Sequence, residues 1–151
     1  MNLERYDIIK LSDHFEYEFY SEGPKGRIRK RVRFQLFSND AGNFFNLVFG
    51  DADETGVLLD DSVVSNNEDT DKIFTTIAHI VLHFTNIFPK VEIYAEGSTA
   101  GRNRLYRMAI NRRLNEIKKS FNISGVTEDN EIESFIKGKN YVGFVVQRKF
   151  Y

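Results

Sequence analysis

Hydrophobic and charged positions alternate along residues 15–36, and a period of two predicts a β-hairpin there. Phe15, Tyr17 and Phe19 share one face, with Glu16, Glu18, Tyr20 and Glu22 on the other. Gly23-Pro24-Lys25-Gly26 supplies turn chemistry. Beyond it, Ile28, Val32, Phe34 and Leu36 face one way and Arg27, Arg29, Arg31 and Arg33 the other. If the turn sets Glu22 opposite Arg27, then Tyr20 meets Arg29, Glu18 meets Arg31 and Glu16 meets Arg33. The same register sets Tyr17 against Val32 and Phe15 against Phe34, a consistent core face. The Arg row therefore reads as one side of a cross-strand ladder, each pair contributing about 0.2–1 kcal/mol, and not as a nucleic-acid stripe.

After a second turn at residues 38–43, FFNLVFG predicts a strand with Phe45, Leu47 and Phe49 on one side. Asp69-Thr70-Asp71 caps a helix that runs to about Phe88 and stops at Pro89. Its apolar stripe is Ile73, Ile77, Ile80, Phe84, Ile87 and Phe88, with Val81 and Phe74 at the edge. Val91 to Ala95 is a short apolar run, expected as a central strand. The helical stretch after it is broken. Leu105, Met108 and Ala109 define one apolar direction, and Ile110, Leu114, Ile117 and Phe121 another about 150° away at 100° per residue. Two short helices meeting near Asn111 account for both sets. FNISGVT, EIESFIK after the turn Glu128-Asp129-Asn130, and YVGFVVQRKF return to strands, the last with Val142, Phe144 and Val146 on one face. The expected architecture is α+β: a mainly antiparallel sheet, made of an N-terminal meander and C-terminal strands, packed against one long and two shorter helices. No linker, repeat or low-complexity segment divides the chain, so residues 1–151 read as a single domain.

Composition narrows the chemistry. There is no Cys, which removes disulfides, thiolate metal sites and a Cys nucleophile. With 14 Phe, 7 Tyr and no Trp, the core is expected to be aromatic. No apolar run suggests a signal peptide or a membrane helix, so a cytoplasmic protein with no membrane partner is expected. The net charge of -1 gives no global attraction to nucleic acid, which is not the preferred partner. The charges are nevertheless segregated. Residues 51–71 hold eight acids and no base, and residues 97–121 hold seven bases against one acid, Glu116.

The organising stretch is VEIYAEGSTAGRNRLYRMAIN, residues 91–111, read as a strand, a Gly-Ser-Thr turn and a helix start. A helix N-terminus carries partial positive charge and favours acids in its first turn. Here Ser98 or Thr99 is the cap, yet Arg102, Arg104 and Arg107 follow. A bound anion would supply the missing charge, meeting backbone N–H groups, hydroxyls and guanidinium forks. Gly97 and Gly101 would permit close approach. Glu96, Gly97, Ser98, Thr99, Arg102, Arg104, Tyr106 and Arg107 are thus the candidate ligand-binding residues. The alternative is pairing of these Arg with Glu96 or the acids of residues 51–71, with no ligand at all.

Other signals are weaker. Asp51-x-Asp53-x-Thr55-Gly56 resembles the first half of a calcium loop, but Ser62 stands where the closing Glu belongs, and a plain turn is the expectation. His79 and His83 sit at i, i+4, a metal-capable spacing, but off the apolar stripe and with no Glu after His79; a solvated pair is expected. No metal and no cofactor is called for.

HFEYEFYSEGPKGRIRKRVRF, then FGD with Asp60-Asp61 and Val64-Ser65-Asn66-Asn67, then IYAEGSTAGRNRLYRMAIN together resemble a family of small bacterial proteins with a domain of unknown function. The resemblance covers most of the chain, and EGST-x-x-R-x-R-LY is its most specific part. It implies a bacterial, cytoplasmic, single-domain protein and carries no activity or catalytic residue. The residues themselves favour a non-enzymatic binding module for a phosphate-bearing ligand or a protein partner. Two rivals stand beside it. One is a toxin–antitoxin or phage-defence component; the other is a small metal-independent ribonuclease using Glu96, Ser98 or Tyr106, and Arg102 or Arg104. A homodimer through Phe150 and Tyr151 is also open.

Overall fold

The alternation of residues 15–36 becomes strands β2 (Glu16–Gly23) and β3 (Gly26–Asn39) in the expected register. In the computed structural model, which describes residues 4–11, 15–39, 42–53, 59–60, 67–97 and 99–149, Glu16 pairs with Arg33, Glu18 with Arg31, Tyr20 with Arg29 and Glu22 with Arg27. The remaining described elements are β1 (Ile9–Lys10), β4 (Gly42–Ala52), β5 (Leu59–Asp60), α1 (Thr70–Ile87), β6 (Glu92–Ala95), α2 (Ala100–Arg112), α3 (Leu114–Ser120), β7 (Phe121–Val126), β8 (Ile132–Ser134) and β9 (Gly143–Arg148). The fold is α+β, with a mainly antiparallel sheet, one long helix and two shorter ones.

The described residues form two compact units, one from residues 1–35 and 48–87, the other from residues 36–47 and 88–151. Strands β3 and β4 contribute to both.

In the first unit the strand order is β1-β2-β3-β4, with β5 beside β4. Tyr17, Phe19, Val32 and Phe34 are buried, as the hairpin pattern predicts. Helix α1 covers them: the Phe34 and Phe84 rings stack with centroids 3.9 Å apart. Ile73, Ile80, Val81 and Phe84 of the expected stripe are buried, while Ile87 is exposed. The stripe omits Thr75, Thr76 and Thr85, which are buried too. Thr76 has a reason to be inside: its Oγ1 donates to Lys72 O and accepts from Tyr6 N at 2.9 Å, so it holds the N-terminal segment on the helix.

Lys30 corrects the sequence reading of β3. It lies on the core face with Val32 and Phe34, is 2 % exposed, and pairs with Asp51 at the end of β4. The first acid of the calcium-like half-motif is therefore a counter-ion for a buried ammonium group, as a buried charge requires. The turn expected at residues 54–56 lies outside the described residues.

In the second unit the order is β4-β6-β9-β7-β8, with β4 and β6 parallel and the other pairs antiparallel. The run at residues 91–95 is thus a central strand. Phe45, Leu47, Ile93, Phe121, Ile123, Tyr141 and Phe144 form its core. Leu36, expected on a core face, is exposed instead. Two helices replace one, as expected, but the junction is Arg113 rather than Asn111. Helix α2 also turns a different face inward: Arg102 and Tyr106 are buried, and Met108, expected inside, is 43 % exposed.

Candidate functional site

The β6–α2 corner is built by three short-range demands. Helix α2 needs a cap for its first N–H groups, and Thr99 provides it, with Oγ1 accepting from Arg102 N at 3.1 Å. Asn103 N donates to Thr99 O at 2.9 Å, the first helical bond. The Asn103 side chain then ties the turn together, accepting from Gly97 N at 3.3 Å and donating to Tyr141 O at 2.6 Å. Gly97 is required by close approach: a Cβ there would stand 2.2 Å from Asn103 N. Three N–H groups of the corner, those of Gly97, Arg102 and Asn103, are thus already taken by acceptors of the chain.

The candidate residues separate around this turn. Arg102 and Tyr106 are buried, Gly97 and Arg107 are half-buried, and Glu96, Thr99 and Arg104 are exposed. Ser98 lies outside the described residues. Glu96 Oε2 accepts from Tyr94 Oη at 2.8 Å. Burial, then that carboxylate, pushes the Tyr94 phenol well up, so it stays a donor. No acid stands in the first turn of α2. Among the described corner residues the exposed charged groups are therefore the Arg104 guanidinium and the Glu96 carboxylate.

A second place emerges in the first unit. A cavity of about 640 Å³ is lined by Arg5, Asp7, Ile8, Lys10, Tyr17, His79, Leu82, His83 and Asn86. One wall is the N-terminal segment, and several contacts fix it. Beyond the bond to Thr76, Tyr6 Oη donates to Asp69 Oδ2 at 2.6 Å and its ring stacks on Phe19 at 5.9 Å. Asp69, expected as a helix cap, directs Oδ2 to Tyr6 and to Ser21. Pairing of Ile9 with Glu18 and Lys10 with Tyr17 completes the anchorage. The opposite wall is the face of α1 that carries His79, Leu82, His83 and Asn86 at helical spacing.

At the cavity wall Tyr17 Oη lies 2.8 Å from His83 Nδ1, the two rings edge to face at 5.4 Å. Burial pushes the Tyr17 phenol up to about 12, so the phenol keeps its proton, and the direction of its bond to Nδ1 follows the imidazole tautomer. With Arg5, Lys10 and the Asn86 amide, the lining is rich in donors; among the described residues Asp7 is its one carboxylate. The histidine pair is not simply solvated, since Tyr17 engages His83. Among the described residues no group of three His, Asp or Glu could hold a metal ion.

The sequence singled out His79 and His83 but not their neighbours. Tyr17 reads as a core residue, which it is; only the fold shows that its hydroxyl reaches the helix. Arg5, Asp7 and Lys10 belong to a segment with no periodic signal. No helix of the described residues is long and apolar enough to cross a membrane.

Residues 2–149 match a family described as a family of unknown function (DUF6934), and the chain belongs to that family. Neither the curated proteins nor the solved structures contain a match.

Proposed function

We propose that the protein is a non-enzymatic binding module for a small phosphate-bearing ligand, received by the cavity between the N-terminal segment and α1. The observation that carries this reading is the donor-rich lining: a guanidinium, an ammonium, a primary amide and two imidazoles line one concave space. Oxyanions are the ligands that satisfy such a set, and charge-assisted bonds to them are the strong ones. The volume lies within the range of small-molecule sites.

Isothermal titration of the full chain at low salt, with inorganic phosphate, sugar phosphates and nucleotides, tests it. A saturable isotherm is expected, weakened about tenfold by Arg5→Ala and again by Lys10→Ala. Absence of heat with every anion, or an isotherm indifferent to both variants, overturns it.

A ribonuclease is the second reading, favoured by the same cavity. Its His79, His83, Tyr17, Arg5 and Lys10 are residue types that move protons and stabilise charge at a phosphodiester without a metal. It predicts cleavage of short RNA by the purified chain in the presence of a chelator, lost in His83→Ala. The corner of Glu96, Thr99 and Arg104 is kept for a protein partner, such as the other member of a toxin–antitoxin or phage-defence pair. Co-purification that recovers only this chain removes that role.

A further inference from the structure

Asp7 is the lining residue that anion binding leaves unexplained. It is exposed and stands with Arg5, Ile8 and Lys10 on the anchored N-terminal wall. A carboxylate beside a phosphate costs affinity by repulsion, so a site meant for inorganic phosphate gains nothing from it. An ionised carboxylate only accepts hydrogen bonds, and the remaining donors of the cavity cannot supply an oxyanion ligand with a second polar end. A ligand that presents an oxyanion at one end and hydroxyl donors at the other satisfies both parts of the lining. Ile8 and Leu82 are its apolar members, and the one aromatic phenol, Tyr17, is buried and committed to His83. Among the described lining residues there is no Phe or Trp ring and no open Tyr ring for a nucleobase to stack on, and the rings that remain are the imidazoles of His79 and His83.

We infer that the ligand is a hydroxylated phosphate ester of sugar-phosphate type, with its phosphate on Arg5, Lys10 and His83 and its hydroxyls on Asp7 and Asn86. This rests on the phosphate-binding reading of the same cavity. Asp7 acts as the discriminating residue: it penalises bare phosphate and rewards a hydroxyl, because a site built to accept from a substrate O–H loses that bond with an analogue lacking it.

The test is calorimetric titration of the full chain with inorganic phosphate, ethyl phosphate and ribose 5-phosphate, repeated on Asp7→Asn. Asp7 is exposed, and its replacement by the isosteric amide leaves the fold intact, which circular dichroism verifies. Ribose 5-phosphate is expected to bind at least about tenfold more tightly than ethyl phosphate. In Asp7→Asn that ratio should shrink several-fold while the affinity for inorganic phosphate rises. Equal affinity for the two esters, or a ratio unchanged in Asp7→Asn, overturns the inference and leaves phosphate binding standing. No binding of any of the three overturns both.

Discussion

Arg29, Arg31 and Arg33 on β3, and Arg102, Arg104 and Arg107 on α2, are two close-spaced guanidinium runs with different fates. On the hairpin each meets an acid across the strand pair: Arg33 and Arg31 reach Glu16, and Arg31 and Arg29 reach Glu18. On α2 the run divides, with Arg102 buried, Arg107 half-buried and Arg104 exposed. The difference lies in what fixes a neighbour. A tight turn sets the register of a hairpin, and the register names the residue opposite each Arg. A helix fixes only which residues share a face, and the rest of the fold decides which face turns inward.

The hairpin side of this contrast gives the largest expected effect. Glu18 is 5 % exposed, and its carboxylate receives Arg31 at 2.6 Å, Arg29 at 3.0 Å and Tyr20 Oη at 3.1 Å. Glu18→Ala should cost about 2–3 kcal/mol in urea unfolding, because it removes the shorter of the two carboxylate contacts of the buried Arg31 guanidinium. Burial alone would raise the pKa of Glu18, but the bonds from Arg31, Arg29 and Tyr20 outweigh it and hold the carboxyl below its ordinary value. A lowered folded-state pKa means stability that is full above the unfolded value and lost as pH falls through the folded one. Wild type should therefore lose stability more steeply than Glu18→Ala as the pH drops below about 4.3. Parallel curves for the two proteins would show that the ladder is decorative.

The corner gives an intermediate effect of a different origin. Gly97→Ala places a Cβ 2.2 Å from Asn103 N, a backbone atom held by its own bond to Thr99 O. The clash cannot be relieved by a side-chain rotation, so a loss of about 1–3 kcal/mol is expected. A wild-type urea midpoint for Gly97→Ala would mean that the corner is looser than its hydrogen bonds imply. It would also restore the reading of Gly97 as a residue kept for ligand approach.

The hairpin, its register, the strand of Phe45, Leu47 and Phe49, the extent of α1 and the central strand at residues 91–95 were legible because each is dictated by local periodicity and turn chemistry. Lys30 was not. It occupies a core position in an otherwise apolar alternation, and its counter-ion Asp51 is supplied by the distant strand β4. The inward face of α2 was misread for a related reason. Apolar periodicity points to Leu105 and Met108, but burying Tyr106 and the aliphatic stem of Arg102 satisfies the second unit instead. The cavity was half visible, through the spacing of His79 and His83. Its other wall comes from a segment more than sixty residues earlier, tied to α1 by Tyr6 and Thr76, which are 70 residues apart.

Arg104 is the residue on which the contrast between the two runs is most finely poised, and its replacement has the smallest expected effect. It is exposed, it lies past the first turn of α2, and that turn contains no acid. A cation near the positive end of a helix is mildly unfavourable, and the penalty fades beyond the first turn. Arg104→Ala also retains helix propensity. The change in unfolding free energy should therefore stay within about 0.5 kcal/mol, with no sign of destabilisation at low salt, where a helix-end charge acts most strongly. Equilibrium urea unfolding at low and high ionic strength measures it. A loss above about 1 kcal/mol that shrinks with salt would mean that an acid of the chain holds Arg104, as Glu18 holds Arg31. In that case the helix would resolve its charge as the hairpin does, and the corner would have no guanidinium to offer a partner.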